Sequence, residues 1–333
     1  ISVEEAREKI LSYVSALEPE EKPILPALGQ VLAEDIFSPL NIPPLDNAAM
    51  DGYAVCHQSI QGASPASPQR LRIVGEVAAG YVTETRVVPG VAVRIMTGAP
   101  VPPGADTVVP FEDTDESQVR ATGRRPGDIS EIRVMQDLSR GANIRLAGQD
   151  IRRGQVALKK GTVLRPSAIG VLASLGKATV EVIRRPVVAV IATGDELLEP
   201  GEPPAAGKIY NSNGYSISAS ILHYGGIPRF LGIARDNPDS LIARLEEGLT
   251  ADMLITSAGV SRGDYDIVKD LLASRGEVAF WTVRMRPAKP LAFGVFLGPG
   301  GRRVPHVGLP GNPVSTLVAF EEMVRPAILR MLG

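Results

Sequence analysis

From residue 186 to residue 333, short apolar runs alternate with longer stretches whose apolar residues recur at helical spacing. The short runs predict buried strands over 187–192, 229–234, 253–257, 278–283, 291–296 and 307–309. The periodic stretches predict helices over 214–224, 238–249, 266–273 and 313–332. Because strands that alternate with helices pair through crossover connections, this part of the chain is predicted to be an α/β domain with a mostly parallel sheet.

The preceding residues have a different character. Short β-type runs broken by glycine and proline fill residues 47–138 and predict a small β domain. Residues 1–18 predict a helix, with Ser2 as its N-cap and Glu5 closing a capping box. We expect residues 1–46 to pack with 139–185 as a linker and dimerisation domain of helices and strands. The β domain, 47–138, is then an insertion, and the α/β domain spans 186–333.

Composition excludes several classes of function. Acidic residues number 37 and basic residues 35, so the net charge of −2 provides no general field for nucleic acid or for an anionic membrane. The single cysteine, Cys56, cannot form a disulfide within the chain, which favours a reducing compartment and the cytoplasm. Three histidines and one cysteine exclude a zinc site of the CxxC or histidine-rich type. No apolar run is long enough to predict a membrane span.

Four segments of the α/β domain follow strands or begin helices, where open parallel sheets bind ligands. They are residues 193–197 with adjacent carboxylates, the glycine-rich residues 257–266, residues 308–315 with Asn312 as a helix cap, and the cationic residues 284–290. Each has an ordinary structural interpretation as an acidic loop, a glycine turn, a helix cap or a solvated charged loop. Together they indicate a site for a phosphorylated ligand and a divalent cation. The carboxylates available are Asp195, Glu196, Asp236, Asp264 and Asp266, and such oxygen ligands favour Mg²⁺.

Two polar segments lie in or beside the predicted β domain. They are residues 46–54, which contain Asp51, and residues 96–100, which contain Thr97. Both stand at strand or linker junctions. They are interpreted either as hinges, which need no ligand, or as part of a site.

Seven segments resemble one family in order along the whole chain: DNAAMDGYAV, RIMTGAPVPPGADTVV, GANIRLAGQD, IATGDEL, ITSAGVSRGDYD, MRPAKPLAFG and GLPGNPVS. They are similar to signature segments of the MoeA and gephyrin E-domain proteins, which are molybdopterin molybdenumtransferases. The resemblance implies a MogA-like fold for the α/β domain. It implies insertion of molybdate into adenylylated molybdopterin, with release of AMP and dependence on Mg²⁺. It also implies a homodimer, in which the β domain of one subunit completes the site of the other, and a MogA-like adenylyltransferase as a partner.

The resemblance assigns roles residue by residue. The catalytic positions are Asp51, Thr97, Glu196, Asp236 and Asp266. The metal ligands are Asp195, Glu196, Asp236 and Asp266. The substrate-binding positions are Arg145, Asp150, Thr193, Gly194, Gly259, Ser261, Gly263, Arg286, Lys289, Gly311, Asn312 and Ser315.

The resemblance leaves an alternative open, because the gephyrin E domain is also a dimeric scaffold. A non-catalytic scaffold or a pterin-binding protein of that type is the second hypothesis. Members of the family usually continue past the last helix into a C-terminal β domain that contributes to the site, and the chain ends at Gly333. We therefore expect pterin binding by these residues and a dependence of molybdate insertion on that further domain.

Overall fold

The computed structural model describes residues 1–121, 128–235, 237–258 and 276–333. The chain divides into two compact units. Unit 1 comprises Ile1–Glu34, Lys159–Ala173 and Lys177–Gly333, and unit 2 comprises Asp35–Leu158 and Ser174–Gly176. Within the described residues, no helix combines the length and the apolar character needed to cross a bilayer.

The strands are numbered along the chain. They are β1 (Pro19–Pro23), β2 (Ile36–Phe37), β3 (Asn47–Ala48), β4 (Gly52–Val55), β5 (Gln69–Val77), β6 (Val91–Ile95), β7 (Thr107–Pro110), β8 (Glu131–Val134), β9 (Ile144–Arg145), β10 (Val156–Leu158), β11 (Thr179–Ile183), β12 (Val187–Thr193), β13 (Leu197–Leu198), β14 (Ile209–Tyr210), β15 (Ile227–Ala234), β16 (Met253–Ser257), β17 (Gly276–Thr282), β18 (Pro290–Leu297) and β19 (Arg303–Leu309).

The described helices are α1 (Val3–Leu11), α2 (Glu116–Ala121), α3 (Pro166–Ser174), α4 (Ser212–His223), α5 (Pro238–Gly248), α6 (Pro313–Ala319) and α7 (Arg325–Met331). A π-helical turn, Phe320–Val324, joins α6 to α7 without a break. The long final helix predicted over 313–332 is therefore present. The helix predicted over 266–273 lies outside the described residues.

Unit 1 is built on a six-stranded sheet in the order β15-β12-β16-β19-β18-β17. The first four strands pair in parallel, and β18 runs antiparallel to both of its neighbours. One strand of six thus opposes the others, which confirms the predicted mostly parallel α/β sheet. Because β17 and β18 are antiparallel, the end of β17 and the start of β18 lie at the same sheet edge as the ends of the parallel strands.

Alternate residues of the central strand face two separate cores. Val188 and Val190 of β12 belong to the core that packs against α4, α1 and the final helices. Ala189 and Ile191 of the same strand belong to the core formed with α5. Burial on both faces explains why β12 is a continuous apolar run rather than an alternating one.

The first helix is shorter than predicted. The capping box is confirmed, because the Ser2 side chain accepts from the Glu5 N–H and the Glu5 carboxylate accepts from the Ser2 N–H. The helix ends at Leu11 rather than at residue 18. The Ser12 hydroxyl donates to the Lys9 carbonyl, a local bond that competes with the helical ladder. Farther on, the Leu17 N–H donates to the Met331 carbonyl at 2.9 Å, so the segment is used in a tertiary contact.

Unit 2 contains a five-stranded sheet in the order β7-β4-β6-β5-β8. Its interior holds an ion pair between Arg94 and Glu116 at 3.1 Å, and the Tyr53 hydroxyl donates to the same carboxylate at 2.8 Å. Gly52 begins β4 where a Cβ would overlap the Val109 carbonyl of the neighbouring strand, so only glycine fits there. The division into 1–46 with 139–185, 47–138 and 186–333 stays a prediction.

Candidate functional site

Three parallel strands of unit 1 end together at one edge of the sheet. The register pairs Ala192 of β12 with Ser257 of β16, and Ser257 with Leu309 of β19. The Thr193 hydroxyl, which is buried, donates to the Ser257 carbonyl at 3.2 Å and ties two of these ends together. The segments after β12, β16 and β19 were predicted to meet here, and their described residues do so.

The turn after β12 carries two adjacent carboxylates. Gly194 has φ of 140°, and its missing Cβ leaves the space that the Glu196 carboxylate occupies. The side chains of Asp195 and Glu196 are exposed. Substitution of Gly194 would therefore displace Glu196 as well as strain the backbone.

Two positively charged side chains, those of Lys208 and Arg235, donate hydrogen bonds to the main chain of this turn. The Lys208 ammonium donates to the Asp195 carbonyl at 2.6 Å, and the Arg235 guanidinium donates to the Asp195 carbonyl at 3.3 Å and to the Leu197 carbonyl at 3.1 Å. These bonds fix the backbone that carries the carboxylates and place positive charge next to them.

A polar segment that the sequence interpretation missed completes this side of the site. β14 pairs in parallel with β13 and leads directly into α4. Asn211 caps α4 by accepting from the Gly214 N–H at 3.0 Å. The Asn213 amide donates to the Gly311 carbonyl at 2.8 Å, and its buried Oδ1 has no hydrogen-bond partner in the described structure. The signal available in the sequence was the pair of asparagines at the start of a predicted helix.

The segment after β19 is organised as a helix cap. Asn312 Oδ1 accepts from the N–H groups of Val314 and Ser315, at 3.1 and 3.2 Å, as its predicted capping role requires. These two donors are therefore satisfied within the cap rather than open to a ligand. Gly311, whose carbonyl is held by Asn213, remains at the rim.

These segments enclose a hollow in unit 1. Its lining includes Thr193 at the end of β12 and Glu196 in the following turn, residues 209–213, Ser257 at the end of β16 with Ala258, and Gly311 with Pro313. The lining combines hydroxyl, amide and carboxylate groups with apolar side chains, of which Leu197, Ile209 and Tyr210 are the large ones. Two predicted ligand-binding residues, Thr193 and Gly311, and the predicted catalytic residue Glu196 are thus brought together.

The predicted cationic residues Arg286 and Lys289 lie at the same edge, in the loop between β17 and β18. The Val283 N–H donates to the Lys289 carbonyl at 2.9 Å and closes this loop. Both cationic side chains are exposed, and neither is among the described residues that line the hollow.

Five predicted site residues lie outside the described residues: Asp236, Gly259, Ser261, Gly263 and Asp266. Among residues 1–121, 128–235, 237–258 and 276–333, no three Asp, Glu, His or Cys side chains are close enough to hold a metal ion together. Asp195 and Glu196 are therefore the described part of the predicted metal set.

In unit 2 the structure brings Asp51 and Thr97 together. Asp51 Oδ1 accepts from both the N–H and the hydroxyl of Thr97, each at 2.7 Å. These hydrogen bonds, first from the backbone and then from the side chain, lower the pKa of Asp51. The carboxylate is thus held ionised on an exposed turn.

Arg145 and Asp150 lie in the neighbouring segment of unit 2, and both are exposed. Arg145 pairs with Asn47 in the short β3–β9 ladder, and the Ala147 N–H donates to the Asp46 carboxylate at 2.7 Å. Asp46, Pro100 and Ala147 line a second hollow with a volume of about 410 Å³. The two predicted polar segments, 46–54 and 96–100, and the segment that carries Arg145 and Asp150 therefore meet on one surface of unit 2.

Comparison with known families covers both parts of the chain. Residues 1–176 match the model of the MoeA N-terminal region, domains I and II, and residues 189–330 match the model described as "Probable molybdopterin binding domain". Molybdopterin molybdenumtransferase 2 of Mycobacterium tuberculosis is 38% identical over 100% of this chain and 80% of its own length. The chain belongs to the MoeA family of molybdopterin molybdenumtransferases.

Other members of the MoeA family agree in extent and in fold. The molybdopterin molybdenumtransferase of Staphylococcus aureus is 38% identical over 100% of this chain and 76% of its own. Two crystal structures of the MoeA protein of Pyrococcus horikoshii cover 100% of the chain and 80% and 79% of theirs, with TM-scores of 0.81 and 0.80. Their sequence identities are 36% and 30%. The predicted family, its transferase class and its role in molybdenum cofactor biosynthesis are confirmed.

Proposed function

We propose that this chain inserts molybdate into adenylylated molybdopterin and releases AMP in a reaction that depends on Mg²⁺. The proposal rests on membership of the MoeA family together with the hollow at the sheet edge of unit 1. It places the reaction in the cytoplasm, with a MogA-like adenylyltransferase supplying the substrate.

The observation that carries the proposal is the joining of separate strand ends into one rim. Thr193 binds the carbonyl of the last residue of β16, and Asn213 binds the main chain after β19. Glu196 faces the same hollow. Hydroxyl, amide and carboxylate groups from distant parts of the sequence are thus held within one site, as binding of a phosphorylated heterocycle requires.

The donor set fits Mg²⁺. Asp195 and Glu196 provide exposed carboxylate oxygens, which suit a hard cation, and Mg²⁺ commonly binds through one or two carboxylates together with substrate phosphates. Asp236 and Asp266 are the further ligands that we propose. When bound, the ion would neutralise charge on the phosphate that leaves as AMP. Lys208 and Arg235 hold the turn that presents Asp195 and Glu196.

Arg286 and Lys289 are proposed to attract the molybdate dianion. Both are exposed at the sheet edge, on a loop closed by the Val283–Lys289 hydrogen bond. A guanidinium and an ammonium are the groups that hold tetrahedral oxyanions by charge-assisted hydrogen bonds. Gly194, Gly259, Ser261, Gly263, Asn312 and Ser315 are proposed to contribute backbone or hydroxyl contacts to the substrate.

The residues of unit 2 enter the proposal through a homodimer. Asp51 and Thr97 form one preorganised pair, and Arg145 and Asp150 lie on the adjoining segment. We propose that unit 2 of one copy supplies these residues to the site of the second copy.

The test is AMP release from adenylylated molybdopterin in the presence of molybdate and Mg²⁺. Replacement Glu196→Gln keeps the size of the side chain and removes its charge. We expect at least about a hundredfold lower rate, which corresponds to loss of a charged group that acts on the reacting phosphate.

The matched control is Glu322→Gln, which alters an exposed surface ion pair with Arg7 at 3.6 Å and should leave the rate unchanged. The assay uses the natural full-length protein. A protein that binds molybdopterin yet releases no AMP under any of these conditions would instead support the pterin-binding alternative.

A further inference from the structure

Tyr210 stands at the rim of the hollow in a fixed position. Its backbone is paired with Leu198 in the β13–β14 ladder, and its hydroxyl donates to the Glu202 carbonyl at 2.9 Å. The side chain is nevertheless 44% exposed. The strand pairing and the hydroxyl hydrogen bond therefore position this exposed ring, rather than packing against a hydrophobic core.

The faces of this ring are unoccupied by protein aromatic or cationic groups in the described part of the chain. The nearby Tyr215 offers a comparison, because it is similarly exposed, at 49%. Its ring, however, packs against Phe230 with the centroids 5.4 Å apart. Of these two tyrosines, Tyr210 is the one that lines the hollow.

Ile209 extends the apolar surface beside Tyr210. It is 59% exposed and also lines the hollow, where Leu197 adds a further aliphatic side chain beside the hydroxyl, amide and carboxylate groups. An exposed tyrosine ring and aliphatic side chain in a hollow that also carries polar groups match a flat, weakly polar part of a ligand rather than its phosphate.

We propose that Tyr210 is a stacking platform for a planar nitrogen heterocycle of the bound substrate, with Ile209 covering its edge. This inference rests on the proposed function. Adenylylated molybdopterin carries two such rings, the pterin and the adenine, and either has the flat π-face that stacking requires. The shared chemistry is a heteroaromatic ring, and the experiment distinguishes its source.

The experiment measures dissociation constants for AMP and for molybdopterin separately, by equilibrium dialysis, with wild type and variants. Tyr210→Ala removes the platform, and we expect the dissociation constant of one ligand to rise by at least about fivefold. Tyr210→Phe keeps the ring and loses only the bond to Glu202, so its affinity should stay within about twofold of wild type. Tyr215→Leu is the control, because that ring is occupied by Phe230.

The outcomes are distinct. Weaker binding of AMP alone assigns the adenine to Tyr210, and weaker binding of molybdopterin alone assigns the pterin. Unchanged affinity of folded Tyr210→Ala for both ligands would overturn the inference, as would equal losses in Tyr215→Leu. If wild type binds neither ligand, the proposed function itself fails and the inference falls with it. Tyr210→Leu, which preserves apolar volume, serves if the alanine variant does not fold.

Discussion

His306 is a neutral base sealed inside the sheet of unit 1. It is completely buried on β19, with Nε2 3.0 Å from the Thr256 hydroxyl and its ring edge-on to Phe296. Nδ1 has no hydrogen-bond partner in the described structure. Burial lowers the pKa of His306 from 6.5 to about 4, because a charged imidazolium would lose its hydration without gaining a counter-ion.

The free energy of unfolding should therefore fall as the pH is lowered from about 6.5 to about 4. In this window the unfolded chain takes up a proton at His306 and the folded chain does not, so protons favour unfolding. The contribution lost is about 3 kcal/mol. The measurement is urea denaturation at several pH values, followed by the fluorescence of Trp281, the single tryptophan, which lies in unit 1.

His306→Gln should flatten the pH dependence relative to wild type in that window. His223→Gln, a change at an exposed position on α4, is the matched control and should leave the slope intact. Parallel pH profiles for wild type and His306→Gln would contradict the prediction.

At the scale of elements, one carboxylate joins the starting ends of three strands. Asp252, just before β16, accepts from the Val187 N–H at the start of β12 at 2.8 Å, from Arg184 at 2.6 and 2.8 Å, and from Arg302 before β19 at 2.9 Å. Burial opposes ionisation of Asp252, but the hydrogen bonds from Arg184 and Val187 outweigh it and lower the pKa. This cluster lies at the edge of the sheet opposite the hollow.

Asp252→Ala should lower the free energy of unfolding by about 3 kcal/mol, because Arg184 keeps only its exposed partner Glu18 and the Val187 N–H loses its acceptor. Trp281 fluorescence in urea measures the loss. Arg244→Ala, which breaks an exposed pair with Glu247 on α5, is the comparison and should cost less than about 0.5 kcal/mol. A loss as small for Asp252→Ala would show that the cluster does not hold these strands.

The elements predicted best are those with a strong local pattern. The apolar run of β12 and the Asn312–Pro313 start of the last helix both carry their own signals, one of burial on two faces and one of capping. The first helix was predicted to be too long, because Val14 and Leu17 continue the helical spacing. In the structure these residues lie beyond the helix and pack on the core of unit 1, where the Leu17 N–H donates to the Met331 carbonyl. Periodicity reports which side chains are buried but does not report the backbone that buries them.

The site was predicted where chemistry is concentrated in a short segment. Thr193 to Glu196 and the Asp51–Thr97 pair fall in recognisable polar turns. Residues 209–213 were missed, because β14 has only two residues and depends on pairing with β13. Lys208 was missed for a similar reason, since its bond to Asp195 O is made across a loop that no local rule describes.

For the whole molecule, the proposed homodimer has a direct test. Light scattering should give about twice the chain mass of 35.3 kDa. Mixing Asp51→Ala with Glu196→Gln, each inactive alone, should restore about a quarter of the wild-type sites if each site uses both copies. The mixture is prepared by unfolding and refolding the two variants together, with each variant refolded alone as the control. A mixture as inactive as its components would contradict sharing of residues between copies.

The rim of the hollow in unit 1 is held by hydrogen bonds between the protein's own groups. The Thr193–Ser257, Asn213–Gly311 and Asn211–Gly214 hydrogen bonds hold its backbone and short side chains in one arrangement. A ligand that docks there pays little conformational entropy to order these described groups, so more of its contact energy is left for affinity. Removing any one of these hydrogen bonds should therefore weaken ligand binding, even when the altered residue contacts no ligand atom.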